Sequence, residues 1–425
     1  MEITKLAEQI KAVRGTKDIT PDEVYKWQYV ESVAKDVFEN FGFREIRTPI
    51  FEHTELFIKG TGETTDIVQK EMYTFTDKGG RSLTLRPEGT PPVVRSYLEN
   101  NLSAEMPVTK LYYIGPMFRY ERPQAGRFRQ HQQIGAEIIG SSSPYSDAEL
   151  ISMYLHFVSK LGIEDVKLHL NSVGCAKCKP DYNLALKDYA KKHFDSLCET
   201  CKDRLDRNPL RMLDCKVESC REIFASGPVI LDYLCDDCRK HFDIVIKSLN
   251  MLGLQYNINP FLVRGLDYYT KTVFEVTARG LGSQDAIAGG GRYDNLIEEL
   301  GGKPTPALGF GSGQNRLIAT MEAQNTPFAD PPVTKIYIAP LCESAFPKAF
   351  EIAFLLRQKG VSTEIGLDGR SLKSQMKTAD KLRAKYVVMI GEDEINKGFV
   401  TIRDMVSGEQ EAIDFQIVID VLTKK

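Results

Sequence analysis

The sequence predicts an α+β domain whose antiparallel sheet is flanked by helices, broken by a helical insertion and followed by a smaller α/β unit. Three observations predict it. Apolar residues alternate at Leu111 and Tyr113 and again at Ile134, Ala136 and Ile138, on either side of a polar loop containing proline and glycine; that is a hairpin pattern. Residues 174–254 are charged, helical in pattern and rich in cysteine. Beyond Pro331-Pro332-Val333, short apolar runs alternate with amphipathic stretches for about a hundred residues.

A chain of 425 residues has room for two or three domains. It is 42% hydrophobic and 27% charged, with a net charge of −3, so any nucleic-acid partner must meet local patches rather than a global basic field. No apolar run reaches membrane-spanning length, and the first residues lack a secretory hydrophobic stretch, which makes the cytoplasm the expectation. Eight of the nine cysteines lie between Cys175 and Cys238. In a reducing compartment they are thiols or metal ligands rather than structural disulfides.

In chain order, Thr20-Pro21-Asp22-Glu23 has the form of a capping box opening a helix that runs to about Asn40 and stops at Gly42. Pro49 bars a central strand, so Phe41–Phe51 ends in an edge strand. Ser82–Arg86 is a short strand entering the turn Pro87-Glu88-Gly89-Thr90. Helical spacing marks Ser146–Leu161 as a core helix, and Lys167–Asn171 reads as a strand. Phe261–Val276, Ala286–Gly302 and Pro306–Met321 supply further strands and a strand-to-helix turn. In the last unit, Phe346, Phe350, Ala353 and Phe354 share a helix face, and strands are expected at Ile336–Ala339, Val361–Ile365, Tyr386–Ile390 and Phe399–Arg403. A helix from about Ser371 to Arg383 carries Lys373, Lys377 and Lys381 on one face.

The chemistry concentrates between Arg119 and Gln130, where Arg119, Arg122, Arg127 and Arg129 face a single acid, Glu121. Arginine forks held on paired strands match phosphate and carboxylate oxygens bidentately; a solvated basic hairpin is the alternative. The nucleotide P-loop pattern is absent. The order F-R-x-E, loop, R-x-R-x-x-Q, then G-x-E resembles motif 2 of the class II aminoacyl-tRNA synthetases in its histidyl form. L-V-R-G-L-D-Y-Y at Leu262–Tyr269 and G-G-R-Y-D at Gly290–Asp294 resemble the two signatures of the histidyl-tRNA synthetase family. The resemblance runs from about Val13 to near the C-terminus.

The resemblance implies activation of L-histidine with ATP and Mg²⁺ and transfer to the 3′ end of tRNA(His). It implies a catalytic domain over 1–325, interrupted by the insertion at 174–254, a linker at 326–333 and an anticodon-binding domain over 334–425. It also implies a homodimer through motif 1 around Pro49. Arg119 would bridge the substrate carboxylate and the α-phosphate, with Arg264 opposite. Arg127 and Arg316 would hold the outer phosphates. Glu121 would meet the adenine amino group or a metal-bound water, and His131, where the family usually has phenylalanine, would lie near adenine. Glu88 and Thr90 would take the ammonium and Gln133 the substrate. Glu137 would accept from the imidazole N–H, and Tyr269 or Tyr293 would donate to the other ring nitrogen. Tyr268 is either part of that pocket or core packing. Arg122, Gln124 and the lysine face of the terminal domain would contact tRNA, although a solvated helix face is the other reading of those lysines.

Motif 3 departs from the usual G-x-E-R, reading Gly313-Gln314-Asn315-Arg316, which removes a metal-binding glutamate. The C-x-x-C pairs suggest structural Zn²⁺, with Cys198, Cys201, Cys235 and Cys238 as candidate ligands. The rival function is a non-catalytic regulatory subunit of ATP phosphoribosyltransferase, a relative that lacks the terminal domain; the intact R-G-L-D-Y-Y and residues 334–425 argue against it.

Overall fold

The computed structural model describes residues 10–63, 65–122, 128–280 and 285–425. The chain forms two compact units, Met1–Ala329 and Asp330–Lys425. No helix among the described residues is long and apolar enough to cross a membrane.

The first unit contains strands β1 (Arg44–Glu45), β2 (Phe51–His53), β3 (Tyr73–Thr76), β4 (Ser82–Leu85), β5 (Thr109–Phe118), β6 (Gln130–Ile139), β7 (Val166–Ser172), β8 (Asn257–Ile258), β9 (Thr270–Ala278), β10 (Ala286–Arg292) and β11 (Ala307–Gly313). Eight of them form one sheet in the order β1-β5-β6-β11-β10-β9-β7-β8, with β2, β4 and β3 in a small second sheet. All pairings in the large sheet are antiparallel except the two outermost, β1 with β5 and β7 with β8. The hairpin expected around the arginine-rich loop is present: β5 and β6 pair from Thr109↔Ile139 to Phe118↔Gln130.

Alternation on β6 divides the sheet's two faces. Ile134, Ala136 and Ile138 join the core built against helices Pro21–Asn40 and Pro144–Lys160, while His131, Gln133, Gly135 and Glu137 point the other way. On the core face the Phe38 ring meets Tyr112, Phe157 and Phe310 edge-on at centroid distances of 5.6, 5.4 and 6.0 Å. Such pairs contribute about 0.5–1.5 kcal/mol each beyond their buried area. The opposite face carries the polar residues of the site.

Helix Pro21–Asn40 starts where expected, but no capping box forms: Thr20 makes no side-chain cap, and the Glu23 carboxylate is held instead by Lys17 Nζ at 2.7 Å. The helix Pro144–Lys160 is not chemically silent. Its Asp147, 2% exposed, accepts from the fully buried Arg292 of G-G-R-Y-D and lies 3.2 Å from His241 Nε2. Arg292 also donates to the carbonyls of Ser141 and Ser143 and to Asp294. A buried guanidinium needs this full set of acceptors, so Arg292 ties the sheet to its covering helix.

The second unit is a five-stranded sheet, β13-β12-β14-β15-β16, formed by β12 (Ile336–Pro340), β13 (Thr363–Ile365), β14 (Tyr386–Ile390), β15 (Phe399–Asp404) and β16 (Gln410–Asp414). Helix Phe346–Gln358 packs through Ala349, Ile352, Ala353 and Leu356. Of the residues expected to share a helix face, Ala353 is buried, while Phe350 and Phe354 are 60% and 53% exposed; the smaller side chains face the sheet. Helix Leu372–Lys381 buries Gln375 and Ala379 and leaves Lys373, Lys377 and Lys381 exposed.

Candidate active site

A cavity of about 340 Å³ opens on the polar face of the large sheet. Three loops and the strand ends bring its walls together. The turn after β4 gives Glu88 and Thr90, the hairpin gives Arg119, Glu121, His131 and Gln133, and the segment before β9 gives Arg264, Tyr268 and Tyr269. The strand-to-helix turn after β11 adds Arg316.

Its inner end is acidic and buried. Glu88, 3% exposed, accepts from Thr61 Oγ1 at 2.6 Å and from the Tyr268 hydroxyl at 2.9 Å. Burial pushes its pKa up. Behind it Glu137, fully buried, accepts from Thr90 Oγ1 at 2.7 Å and from the Tyr293 hydroxyl at 2.5 Å. Burial raises the Glu137 carboxyl to about 8, and the Glu88 charge adds to the rise. Glu137 has room only because its cross-strand partner is Gly309: a Cβ there would come within 1.6 Å of the carboxylate. Gln133 Oε1 is buried and has no hydrogen-bond partner among the described residues, an acceptor that a ligand donor would satisfy.

The outer end is cationic. Arg119 Nε donates to the Pro87 carbonyl at 2.9 Å, and Arg316 Nη1 donates to the Ala286 carbonyl at 2.6 Å. Arg264 Nη1 is paired with Glu275 Oε2 at 2.5 Å, while its buried Nε has no hydrogen-bond partner among the described residues. His131, between Arg119 and Arg316, is driven down to about 3 by burial and by those two charges, so its ring is neutral at physiological pH. Asn315 also lines the cavity, and its Oδ1 accepts the Gln132 backbone N–H at 2.9 Å, which pins the turn to β6.

Most of the expected residues therefore meet in one cavity. Glu137 and Tyr293 stand behind its wall rather than on it. Arg122 is exposed, and Gln124 and Arg127 lie outside the described residues. Lys373, Lys377 and Lys381 belong to the other unit. The four cysteines Cys198, Cys201, Cys235 and Cys238 do not form one group: the first two gather with Cys215 and Cys220, the last two with Cys175 and Cys178. Tyr113 and Glu275 line the cavity and were not anticipated. The hairpin register sets Tyr113 opposite Gly135 on the site face, and Glu275 is the one acid of its strand, flanked by Phe274 and Val276; either signal could have found them.

An antiparallel sheet that carries arginines on its motif 2 hairpin and on a strand-to-helix turn defines the catalytic domain of a class II aminoacyl-tRNA synthetase. Comparison with known proteins narrows this. Residues 15–317 match the family model "Histidyl-tRNA synthetase" and residues 335–425 the model "Anticodon binding domain". The histidine–tRNA ligase of Pelotomaculum thermopropionicum is 50% identical over 412 residues, 97% of either chain. That of Caldanaerobacter subterraneus subsp. tengcongensis is 51% identical over 97% of this chain and 98% of its own. The crystal structure of apo S. aureus histidyl-tRNA synthetase superposes with a TM-score of 0.83 at 35% identity, covering 98% of this chain and all of the other. The chain belongs to the histidyl-tRNA synthetase family. A structure described as an ATP phosphoribosyltransferase regulatory subunit/histidyl-tRNA synthetase, from Bacillus halodurans C, shares the fold, at 20% identity and a TM-score of 0.66.

Proposed function

We propose that this cavity activates L-histidine with ATP and that the chain then transfers the histidyl group to tRNA(His). One observation carries the reading: the carboxyl groups of Glu88 and Glu137 and the hydroxyls of four tyrosines, Tyr113, Tyr268, Tyr269 and Tyr293, are buried beside a cavity that Arg119, Arg264 and Arg316 also line. Such a pocket wants a ligand bearing hydrogen-bond donors and positive charge for the carboxyl groups and an anionic group for the arginines. Histidine supplies a ring N–H at one end and an ammonium and a carboxylate together on the α-carbon at the other.

Glu88, Thr90 and Gln133 take the ammonium. Glu137 accepts from the ring N–H through lone pairs left free by Thr90 and Tyr293, and Tyr269 donates to the other ring nitrogen, the single Tyr293 hydroxyl proton being already given to Glu137. A pocket of this kind discriminates against isosteres because its own polar groups would go unpaired. Arg119 and Arg264 flank the reacting carboxylate and α-phosphate, where negative charge builds as the carboxylate oxygen attacks phosphorus and pyrophosphate leaves. Arg316, with Arg127, meets the outer phosphates. The neutral His131 ring offers a flat face to adenine beside Glu121.

The family's reaction uses ATP and Mg²⁺. Glu121 and Glu275 put two hard oxygen donors in the cavity and fit Mg²⁺, which shares phosphate charge when bound. The insertion's cysteines are structural Zn²⁺ ligands, gathered in fours with their sulfurs within 4.8 Å of one another. Catalysis belongs to 1–325 apart from the insertion at 174–254; past a linker at 326–333, residues 334–425 read the anticodon. The chain pairs with a second copy through the surface around Pro49, where Ile50 and Phe51 are 45% and 53% exposed. The cytoplasm is the compartment that fits this work. The regulatory-subunit reading is not favoured, since relatives named histidine–tRNA ligase match nearly the whole chain.

Histidine-dependent pyrophosphate exchange tests the reading. Glu137→Gln should weaken histidine by roughly 1–3 kcal/mol and leave ATP affinity little changed. Equal loss for both ligands together with a lower Tm would make Glu137 a structural residue instead.

A further inference from the structure

We propose that the insertion holds two separate zinc centres with different jobs, and that the second of them positions the Arg264–Asp267 loop of the histidine pocket. The inference rests on the reading of the cysteines and of the cavity given above.

Each quartet has the geometry of a closed tetrahedral site. A zinc ion with four thiolates at about 2.3 Å sets its sulfurs roughly 3.8 Å apart. The distances are 3.8 Å for Cys175–Cys178, 3.9 Å for Cys175–Cys235 and 3.7 Å for Cys198–Cys215. These are far from a disulfide. Backbone N–H groups already point at the sulfurs: Cys235 N to Cys178 Sγ at 3.2 Å and Cys198 N to Cys220 Sγ at 3.3 Å. That is the support a bound thiolate needs. Each group is sulfur alone, which selects a soft metal in a structural role.

The two sites sit differently in the chain. Cys175 and Cys178 follow β7, and Cys235 and Cys238 open the helix Asp236–Met251 that returns to the sheet. This first site closes the base of the insertion. The second is contained within Cys198–Cys220. Cys198 and Cys201 lie at the start of helix Glu199–Arg207, and Cys220 lies in helix Glu218–Ala225. Between them runs the short 3₁₀ turn Pro209–Met212.

That turn is the part that meets the active site. Arg211, 8% exposed, donates to the Arg264 carbonyl at 3.3 Å and pairs with Asp66 at 3.5 Å. Arg204 Nη1 holds the Arg211 carbonyl at 2.9 Å, and Asn208 Nδ2 donates to Asp267 Oδ1 at 3.0 Å. Arg264 and Leu266 line the cavity from the same loop. The turn thus buttresses the loop from behind, and the second zinc fixes the turn by both flanks. Arg211 is a positioning residue in this scheme, since it reaches the loop's backbone and not the substrate.

Metal analysis of the full chain, combined with pyrophosphate exchange, tests the proposal. The chain should carry about two zinc ions. Cys215→Ser with Cys220→Ser should remove one of them and raise the KM for histidine on the order of tenfold to a hundredfold, leaving the KM for ATP unchanged. Arg211→Ala should keep both zinc ions and show the same rise in histidine KM. Should the double variant not fold, Arg211→Ala still decides the coupling and the metal content of the unaltered chain still decides the sites. A chain without zinc, or with iron in its place, overturns the two-site assignment. An unchanged histidine KM in Arg211→Ala overturns the coupling, even with two zinc ions bound. Absence of histidine-dependent exchange in the unaltered chain would instead refute the functional reading on which both rest.

Discussion

Arg264 donates to Glu275 at 2.5 Å, and a Cβ on Gly289 would stand 1.9 Å from the Arg264 guanidinium. The arginine is held on both sides before any substrate arrives. Preorganised charge of this kind acts most where charge grows during the reaction. Arg264→Ala should therefore lower kcat for adenylate formation by roughly 10²–10³ with little change in the KM for ATP. Gly289→Ala should displace the guanidinium and lower kcat in the same sense. Single-turnover adenylate formation separates this from a raised KM with kcat intact, which would assign Arg264 to uniform binding.

The Glu137 carboxyl, raised to about 8 by burial, holds its proton at neutral pH in the empty pocket. Accepting from the histidine ring N–H favours the carboxylate, so binding should release a proton. Histidine affinity should then rise as pH goes from about 6.5 to 8 and level off above, by at most tenfold per pH unit. Isothermal titration in two buffers of different ionisation enthalpy would count the proton. Stability runs the other way. The folded value lies above the ordinary 4.5, so this group's contribution is complete below 4.5 and is lost as pH rises through about 8. The empty chain should lose Tm over that window, histidine should restore it, and Glu137→Gln should flatten both profiles.

Arg292 and Asp147 make the corresponding case for stability. Arg292 is fully buried and Asp147 is 2% exposed, with 2.8 Å between Nη2 and Oδ2. Removing Arg292 leaves Asp147 buried without its guanidinium, with His241 Nε2 at 3.2 Å as its remaining partner. Arg292→Ala should cost about 3–5 kcal/mol of unfolding free energy. A denaturant titration showing a loss below about 1 kcal/mol would place Arg292 outside the core network.

What the sequence showed and what it hid follow from the range of the interactions. The hairpin was legible because alternation and a Pro/Gly-containing loop are local signals, and the turn at Glu88 and Thr90 was legible from its motif. Arg292 was visible only as a letter in a signature; its partner Asp147 lies 145 residues away and looked like an ordinary position of a core helix. Thr20 offered a capping box, but Glu23 had a nearer cation in Lys17. The cysteine pairs were legible as pairs. Which pair joins which depends on how the insertion's helices fold back, so the division into two quartets could not be read from spacing.

The lysine face of the terminal unit gives the last prediction. Lys373, Lys377 and Lys381 are exposed along helix Leu372–Lys381, whose opposite face is fixed by buried Gln375 and Ala379. Gln375 Nε2 donates to the Pro340 carbonyl at 2.8 Å, which anchors the helix to the sheet and leaves the lysines pointing outward. No lysine on this face makes a salt bridge among the described residues. Three like charges at helical spacing repel one another by a few tenths of a kcal/mol per pair, so the face gains nothing for folding. Contact with tRNA phosphates would release counterions, and each such contact adds close to one to the salt dependence of binding. Replacing all three with alanine should raise the KM for tRNA and lower the slope of log K against log salt by about two to three. Histidine-dependent pyrophosphate exchange, which needs no tRNA, should be unchanged. An unaltered salt slope would make these lysines a solvated face and move the tRNA contact elsewhere on the unit.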